Sequence, residues 1–131
     1  MTHKSQIVSI RDVHVHKSKN YVKVKYHEYF KALAERSRRN YEEFISRSKK
    51  VQQNKPTATW EGINALIEKI KRNGFDPDKS SFRLEKREYN GKKIWVVCHG
   101  RHRTCILRYL YGRRLKFVID DKGKILELVG I

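Results

Sequence analysis

Ile94-Trp-Val-Val-Cys-His-Gly-Arg-His-Arg-Thr-Cys-Ile-Leu-Arg-Tyr-Leu-Tyr-Gly112 is the stretch on which the fold turns. Its first five residues are a continuous apolar run, the pattern of a strand covered on both faces. His99-Gly100 breaks that run. From Thr104 to Tyr111 the apolar residues Cys105, Ile106 and Leu110 recur at helical spacing, and Gly112 supplies the stop. A strand, a glycine turn and a helix in succession point to a chain that mixes sheet and helix around one core.

The flanks extend the pattern. Phe82 and Leu84 alternate with Arg83 and Glu85 as a half-exposed strand, and Asn90-Gly91 is a strong hairpin signal joining it to Ile94–Cys98. Downstream, Leu115–Ile119 forms another apolar strand, Asp121-Lys122-Gly123 a turn, and Ile125–Val129 a last short strand. Upstream, Thr59 is a candidate N-cap for a helix with Trp60, Ile63, Leu66, Ile67 and Ile70 on its core face, stopped at Asn73-Gly74 and led out by Phe75-Asp76-Pro77. Residues 49–59, with Gln52, Gln53, Asn54 and Pro56, are expected to form a loop. From about Tyr29 to Ser48 the apolar residues Phe30, Leu33, Ala34, Tyr41, Phe44 and Ile45 predict one amphipathic surface helix. Ahead of it, Ile7 to Ile10, Val13 with Val15, and Val22 with Val24 predict one or two short strands around a turn at Lys17 to Asn20. The fold class expected is α/β (α+β), a small mixed β-sheet flanked by two or three helices. Residues 1–55 carry the N-terminal strands and the basic helix, residues 56–131 the core, packed as one compact domain.

At 131 residues the chain has room for a single core of ordinary size. Its 38% hydrophobic and 11% aromatic content excludes wholesale disorder. Lys and Arg number 31 against 14 Asp and Glu, a formal charge of +17, which favours a phosphate-bearing partner. No apolar run approaches the roughly 18 residues of a membrane-spanning helix, and no signal-peptide pattern opens the chain, so a cytoplasmic protein without a transmembrane segment is expected. Cys98 and Cys105 match neither a disulfide framework nor a zinc spacing, and reduced thiols are expected.

Chemistry concentrates at the glycine turn. Between Lys92 and Ile119 there is no acidic residue, while Lys92, Lys93, Arg101, Arg103, Arg108, Arg113, Arg114 and Lys116 fall within it. Where a strand bends into a helix, the first helical amides lack intrahelical acceptors, the helix dipole adds partial positive charge, and glycine lets an anion approach the backbone. Such a turn attracts phosphate. Arg101 and Arg103 can add guanidinium contacts, His102 a hydrogen bond or a proton relay, and Thr104 a hydroxyl at the helix start. The plainer alternative is that one arginine pairs with a carboxylate elsewhere and the others solubilise the surface.

The residues from Ile63 to Pro77, the hairpin, the segment Ile94 to Gly112 and the strand after it together resemble the ParB/sulfiredoxin superfamily, over about residues 60 to 120. In that superfamily a helix ending in a Gly and a Pro precedes the strand, and a Gly-x-His-Arg or Gly-x-Arg-Arg motif opens the next helix and contacts nucleotide phosphates. The resemblance implies that Gly100, His102 and Arg103 contact phosphate, with Arg101 in the variable position. Sulfiredoxins carry their reactive cysteine directly after the motif glycine, where Arg101 stands here, so sulfinic acid reductase activity is not expected. ParB partition proteins continue into a helix-turn-helix domain, whereas only residues 120–131 follow the last matching strand, so centromere-type clamping is not expected either. The stand-alone module remains, whose relatives include NTP-using small-molecule kinases and proteins described as nucleases.

A nucleoside triphosphate, ATP or CTP, with Mg²⁺ is therefore the expected cofactor, and phosphoryl transfer to a hydroxyl or phosphate hydrolysis the expected reaction. Such a reaction needs a carboxylate to orient metal or take a proton. Glu68, Asp76 and Glu61 are available as surface carboxylates, and the catalytic candidates are His102 and Glu68. His14, His16 and His27 lack a further ligand at convincing spacing, so no metal site is expected from them. Trp60 and Trp95 read as core rather than base-stacking residues, and Cys105 as a buried thiol. The rival partner is nucleic acid, through the same turn or through Arg36, Arg38, Arg39, Arg47, Lys49, Lys50 and Lys55, with Glu35, Glu42 and Glu43 diluting that patch. Anionic lipid or a phosphorylated glycan has charge alone in its favour.

Overall fold

The computed structural model describes residues 5–17, 19–47, 55–76 and 82–131. Among these the fold is α+β, with seven strands in two sheets and four α-helices. The strands are β1 (Gln6–Ser9), β2 (Val13–Lys17), β3 (Asn20–Lys23), β4 (Arg83–Tyr89), β5 (Lys92–Cys98), β6 (Lys116–Ile119) and β7 (Ile125–Val129). The helices are α1 (Glu28–Glu35), α2 (Arg38–Arg47), α3 (Trp60–Asn73) and α4 (Arg101–Tyr111).

The larger sheet runs β3-β2-β5-β4, and β5 is interior, as its unbroken apolar sequence requires. Its pairing with β4 turns through Asn90 and Gly91, both at positive φ, 51° and 78°. Its pairing with β2 is parallel, Val13 opposite Trp95. The smaller sheet runs β1-β6-β7 and sets Gln6 opposite Ile119. The strands expected in one sheet thus divide between two, because β1 leaves the β2–β3 hairpin through a 3₁₀ turn at Ile10–Asp12 and pairs with β6 instead.

The two sheets touch at Gly123. The Leu84 amide donates to the Gly123 carbonyl at 2.9 Å, and a β-bridge joins Arg83 to Lys124. Gly123 sits at φ 83°, and a Cβ there would lie 1.9 Å from the Leu84 carbonyl oxygen, so only glycine lets the strands close. Apolar residues from both sheets and all four helices meet in one core, with Tyr29, Tyr41, Ile63, Leu84, Ile106 and Phe117 among its fully enclosed members.

The helix expected from Tyr29 to Ser48 is two helices. Arg36 takes the left-handed conformation, φ 54° and ψ 39°, and closes α1; the Ser37 Oγ then accepts from the Asn40 amide at 3.1 Å and opens α2. Ala32 rather than Ala34 faces the core as a result. Arg36 is held in this costly conformation by its side chain, which donates to Asn64 Oδ1 at 2.8 Å and lies over the Trp60 and Tyr109 rings. The α3 prediction holds at both ends: Thr59 Oγ1 accepts from the Gly62 amide at 3.0 Å, and Gly74 follows the last turn. Of the expected loop, residues 49–54 lie outside the described residues, as does Pro77; Pro56–Ala58 form a 3₁₀ turn against α3.

Candidate functional site

The chain leaves β5 at Cys98, passes through His99 in the left-handed region at φ 54°, and enters α4 at Arg101, one turn earlier than the apolar spacing indicates. The first bond into the helix runs from the Thr104 amide to the Gly100 carbonyl at 2.8 Å, leaving the amides of Arg101, His102 and Arg103 ahead of it without intrahelical acceptors. Gly100 has no side chain to cap them, and no acidic residue lies in the first turn. Glycine is required at this position by packing: a Cβ would stand 2.7 Å from the Phe82 ring.

The side chains of this turn divide. Arg103 is exposed, with no ion pair or hydrogen bond among the described residues. Arg101 is half-buried, its guanidinium 5.1 Å from the Tyr29 ring centroid and its Nη1 donating to the His16 carbonyl at 3.4 Å. His102 stacks on Tyr29 with ring centroids 4.2 Å apart. Thr104, expected to offer its hydroxyl to a ligand, is instead fully buried, and its Oγ1 donates to the Gly100 carbonyl at 2.7 Å. That back-bond to the preceding turn removes Thr104 from the ligand-facing set and leaves it as a brace for the glycine.

Beneath the turn lies a polar cluster that sequence spacing did not reveal. His27 Nδ1 accepts from the Tyr29 amide at 3.1 Å, capping α1, and its ring packs 4.7 Å from that of Tyr29. Nε2 of His27, the Tyr29 hydroxyl, Nε2 of His102 and Oε2 of Glu28 are all buried with no hydrogen bond of good geometry among the described residues, although Arg101 stands close to the Tyr29 hydroxyl and the His16 backbone close to His27. Buried polar atoms of this kind are rare, and several side by side mark a place suited to a polar ligand. Glu28 is tied to Lys17 at 2.6 Å. The one advance signal was a His-Glu pair at a helix start, which periodicity treats as ordinary surface.

Burial, then the charge of Arg101, pushes His102 down to about 3, with His27 and Lys55 adding to the effect. The same two causes hold His27 at about 4, against an opposing pull from Glu28. Burial raises the Tyr29 hydroxyl, which Arg101 partly offsets. Burial alone would raise Glu28, but Lys17, its own backbone amide and His27 hold it below the usual carboxylate range. At neutral pH both imidazoles are therefore uncharged, and Arg101 is the cation at the centre of the cluster. A base at about 3 is poorly matched to proton transfer near pH 7, so His102 is better suited to accepting or donating a hydrogen bond than to the relay its position suggested.

The other candidates lie apart from this turn. Glu68 is exposed on α3 and makes no hydrogen bond or ion pair among the described residues. The helix carrying it packs on α2 and the Pro56 turn, whereas α4 packs on α1. Glu61 pairs with Arg38 at 2.8 Å. The arginines of α2 are largely neutralised within the fold, since Arg38 and Arg39 each meet a glutamate one turn on, at 3.1 Å. Lys49 and Lys50 lie outside the described residues. Both cysteines are free and buried; burial raises the Cys98 thiol, with Glu85 adding to it, and pushes Cys105 up to about 12. Neither is a reactive thiolate. Among the described residues no three His, Cys, Asp or Glu side chains gather as a metal site would require, and no helix is long and apolar enough to cross a membrane. Set against known protein families, curated proteins and solved structures, the chain matches none.

Proposed function

We propose that the turn from Gly100 to Arg103 binds the phosphates of a nucleotide. The observation that carries this reading is the start of α4, where three amides have no intrahelical acceptor, no acidic residue occupies the first turn, and Arg101 and Arg103 both belong to that turn. An anion placed there meets unpaired N–H donors, the positive end of the helix dipole and Arg103, whose charge no described residue engages. Arg101, held against Tyr29 and the His16 carbonyl, is already oriented and loses little freedom on contact. The resemblance to ParB/sulfiredoxin modules supplies the nucleotide as the class of ligand.

Transfer of a phosphoryl group to a hydroxyl is the reaction such a turn would serve. The carboxylate coupled to the cluster is Glu28, whose Oε1 is engaged by Lys17. Magnesium is usually held by one or two carboxylates together with substrate phosphates. The described residues do not assemble such a donor set, so the turn's own contribution is binding and orientation. Titration of ATP and CTP by calorimetry at two salt concentrations tests the reading. Arg103→Ala is expected to weaken nucleotide binding by about tenfold or more, the scale of one lost charge-assisted hydrogen bond, with little change on adding salt. Unchanged affinity in both Arg101→Ala and Arg103→Ala would sink it. So would binding confined to a DNA duplex that collapses as salt rises.

A further inference from the structure

A second concentration of charge lies at the opposite end of α4. Arg108 stands in its last turn and Arg113 just beyond Gly112; Arg11 comes from the 3₁₀ turn after β1, Lys23 from the end of β3, and Lys25 from the 3₁₀ turn that follows. These five side chains surround a cavity of about 220 Å³, with the buried residues Ile10 and Val24 as its apolar wall. None of the five makes an ion pair with a carboxylate among the described residues, in contrast to the self-neutralised arginines of α2. Asp12, next to Arg11 in the chain, is exposed and pairs with none of them.

The arrangement is held in place. The Arg108 guanidinium lies 5.7 Å from the Phe30 ring centroid, which fixes a cation at the mouth of a concavity. Burial, then the neighbouring charges of Arg11 and Arg113, lowers the Arg108 pKa, so these cations repel one another across the cavity. The carbonyl end of α4 offers only about half a negative charge in compensation, against five full positive ones. A single phosphate carries about 1.5 to 2 negative charges near neutral pH, less than the site presents. The volume falls below the roughly 300 Å³ at which pockets begin to enclose whole organic ligands. A compact anion with more than one phosphate satisfies both limits.

We propose that the cavity bounded by Arg11, Lys23, Lys25, Arg108 and Arg113 is a second anion site, which takes a diphosphate group, free or as the charged end of an organic ester. It is independent of the Gly100 turn, which lies about 12 Å from Arg108 along α4, at 1.5 Å per helical residue. The test is calorimetric titration of the full chain with pyrophosphate and with an alkyl diphosphate, alongside backbone amide shifts in a ¹H–¹⁵N spectrum. Saturable binding of either probe, with shifts at Arg11, Lys25 and Arg113, is expected; the tighter of the two tells whether the group arrives free or esterified. Affinity is expected to fall tenfold or more in the double variant Arg11→Gln/Arg113→Gln, whose altered side chains are exposed, and in Arg108→Gln. In Arg103→Ala these cavity shifts are expected to persist, so the fate of the Gly100 turn does not decide this one. Binding unchanged in the double variant overturns the proposal, as does a protein that ignores both diphosphates and takes up only single-stranded oligonucleotide.

Discussion

His27 and His102 both pack against the Tyr29 ring, and both are held uncharged by burial and by Arg101, at about 4 and about 3 against an ordinary 6.5. The unfolded chain therefore takes up these protons at a higher pH than the folded one does. Stability is full above about pH 6.5, falls as pH drops through the interval down to the two folded values, and levels off below them. Each such proton costs about 1.4 kcal/mol per pH unit within that interval. Urea denaturation at pH 7.5, 6 and 5 is expected to show this decline, and His102→Phe, which keeps the stacked ring without a titrating nitrogen, to flatten it. An acid slope equal to that of the unaltered chain would show that His102 is not its source. Gly100→Ala forces a methyl against the Phe82 ring and is expected to cost about 1–3 kcal/mol, seen as a lower thermal midpoint. The bend at Gly100 from β5 into α4 was legible in the sequence because its signals, an apolar run and then a glycine, are local. Thr104 was misjudged because its helical back-bond competes with any ligand, and His27 and Tyr29 were missed because they reach the turn only through the packing of α1 on α4.

Most of the strands and helices followed from periodicity. The Asn90-Gly91 hairpin, the Thr59 cap and the central position of β5 each rest on neighbours in the chain, and each is where the sequence placed it. The break between α1 and α2 was not foreseen, since no glycine or proline marks it. The trace it left is a gap: between Ala34 and Tyr41 no residue is apolar, and Ser37 sits within that gap as a cap. Ser37→Ala is accordingly expected to destabilise the protein by about 1 kcal/mol, measured by thermal or urea unfolding; a neutral result would mean that α2 depends on tertiary contacts alone. Gly123→Ala is expected to be worse, because its Cβ would meet the Leu84 carbonyl at 1.9 Å and push the two sheets apart. An amide-exchange experiment would read this as lost protection at Leu84, whose N–H donates across the junction.

A formal charge of +17 on 131 residues sets the behaviour of the whole. Carboxylates engage cations on α2, at Glu28 and on the β4 face, where Glu85 meets both Arg83 and Arg87, and at both ends of α4 there are cations with no ion pair among the described residues. Adding sodium chloride from about 10 to 150 mM shortens the screening distance from about 30 to 8 Å and is expected to raise the thermal midpoint; a fall would mean that surface ion pairs outweigh this repulsion. The division of the strands into two sheets was beyond the reach of sequence patterns, because it depends on which distant segments pair. The edge pairing of Gln6 with Ile119 has a bearing on biosynthesis. While the ribosome is still translating the middle of the message, β1 and β2 have emerged but their neighbours β6 and β5 have not. The nascent polypeptide is left with sticky, half-satisfied backbone that chaperones, or a delay in collapse, must shield until the later codons are read.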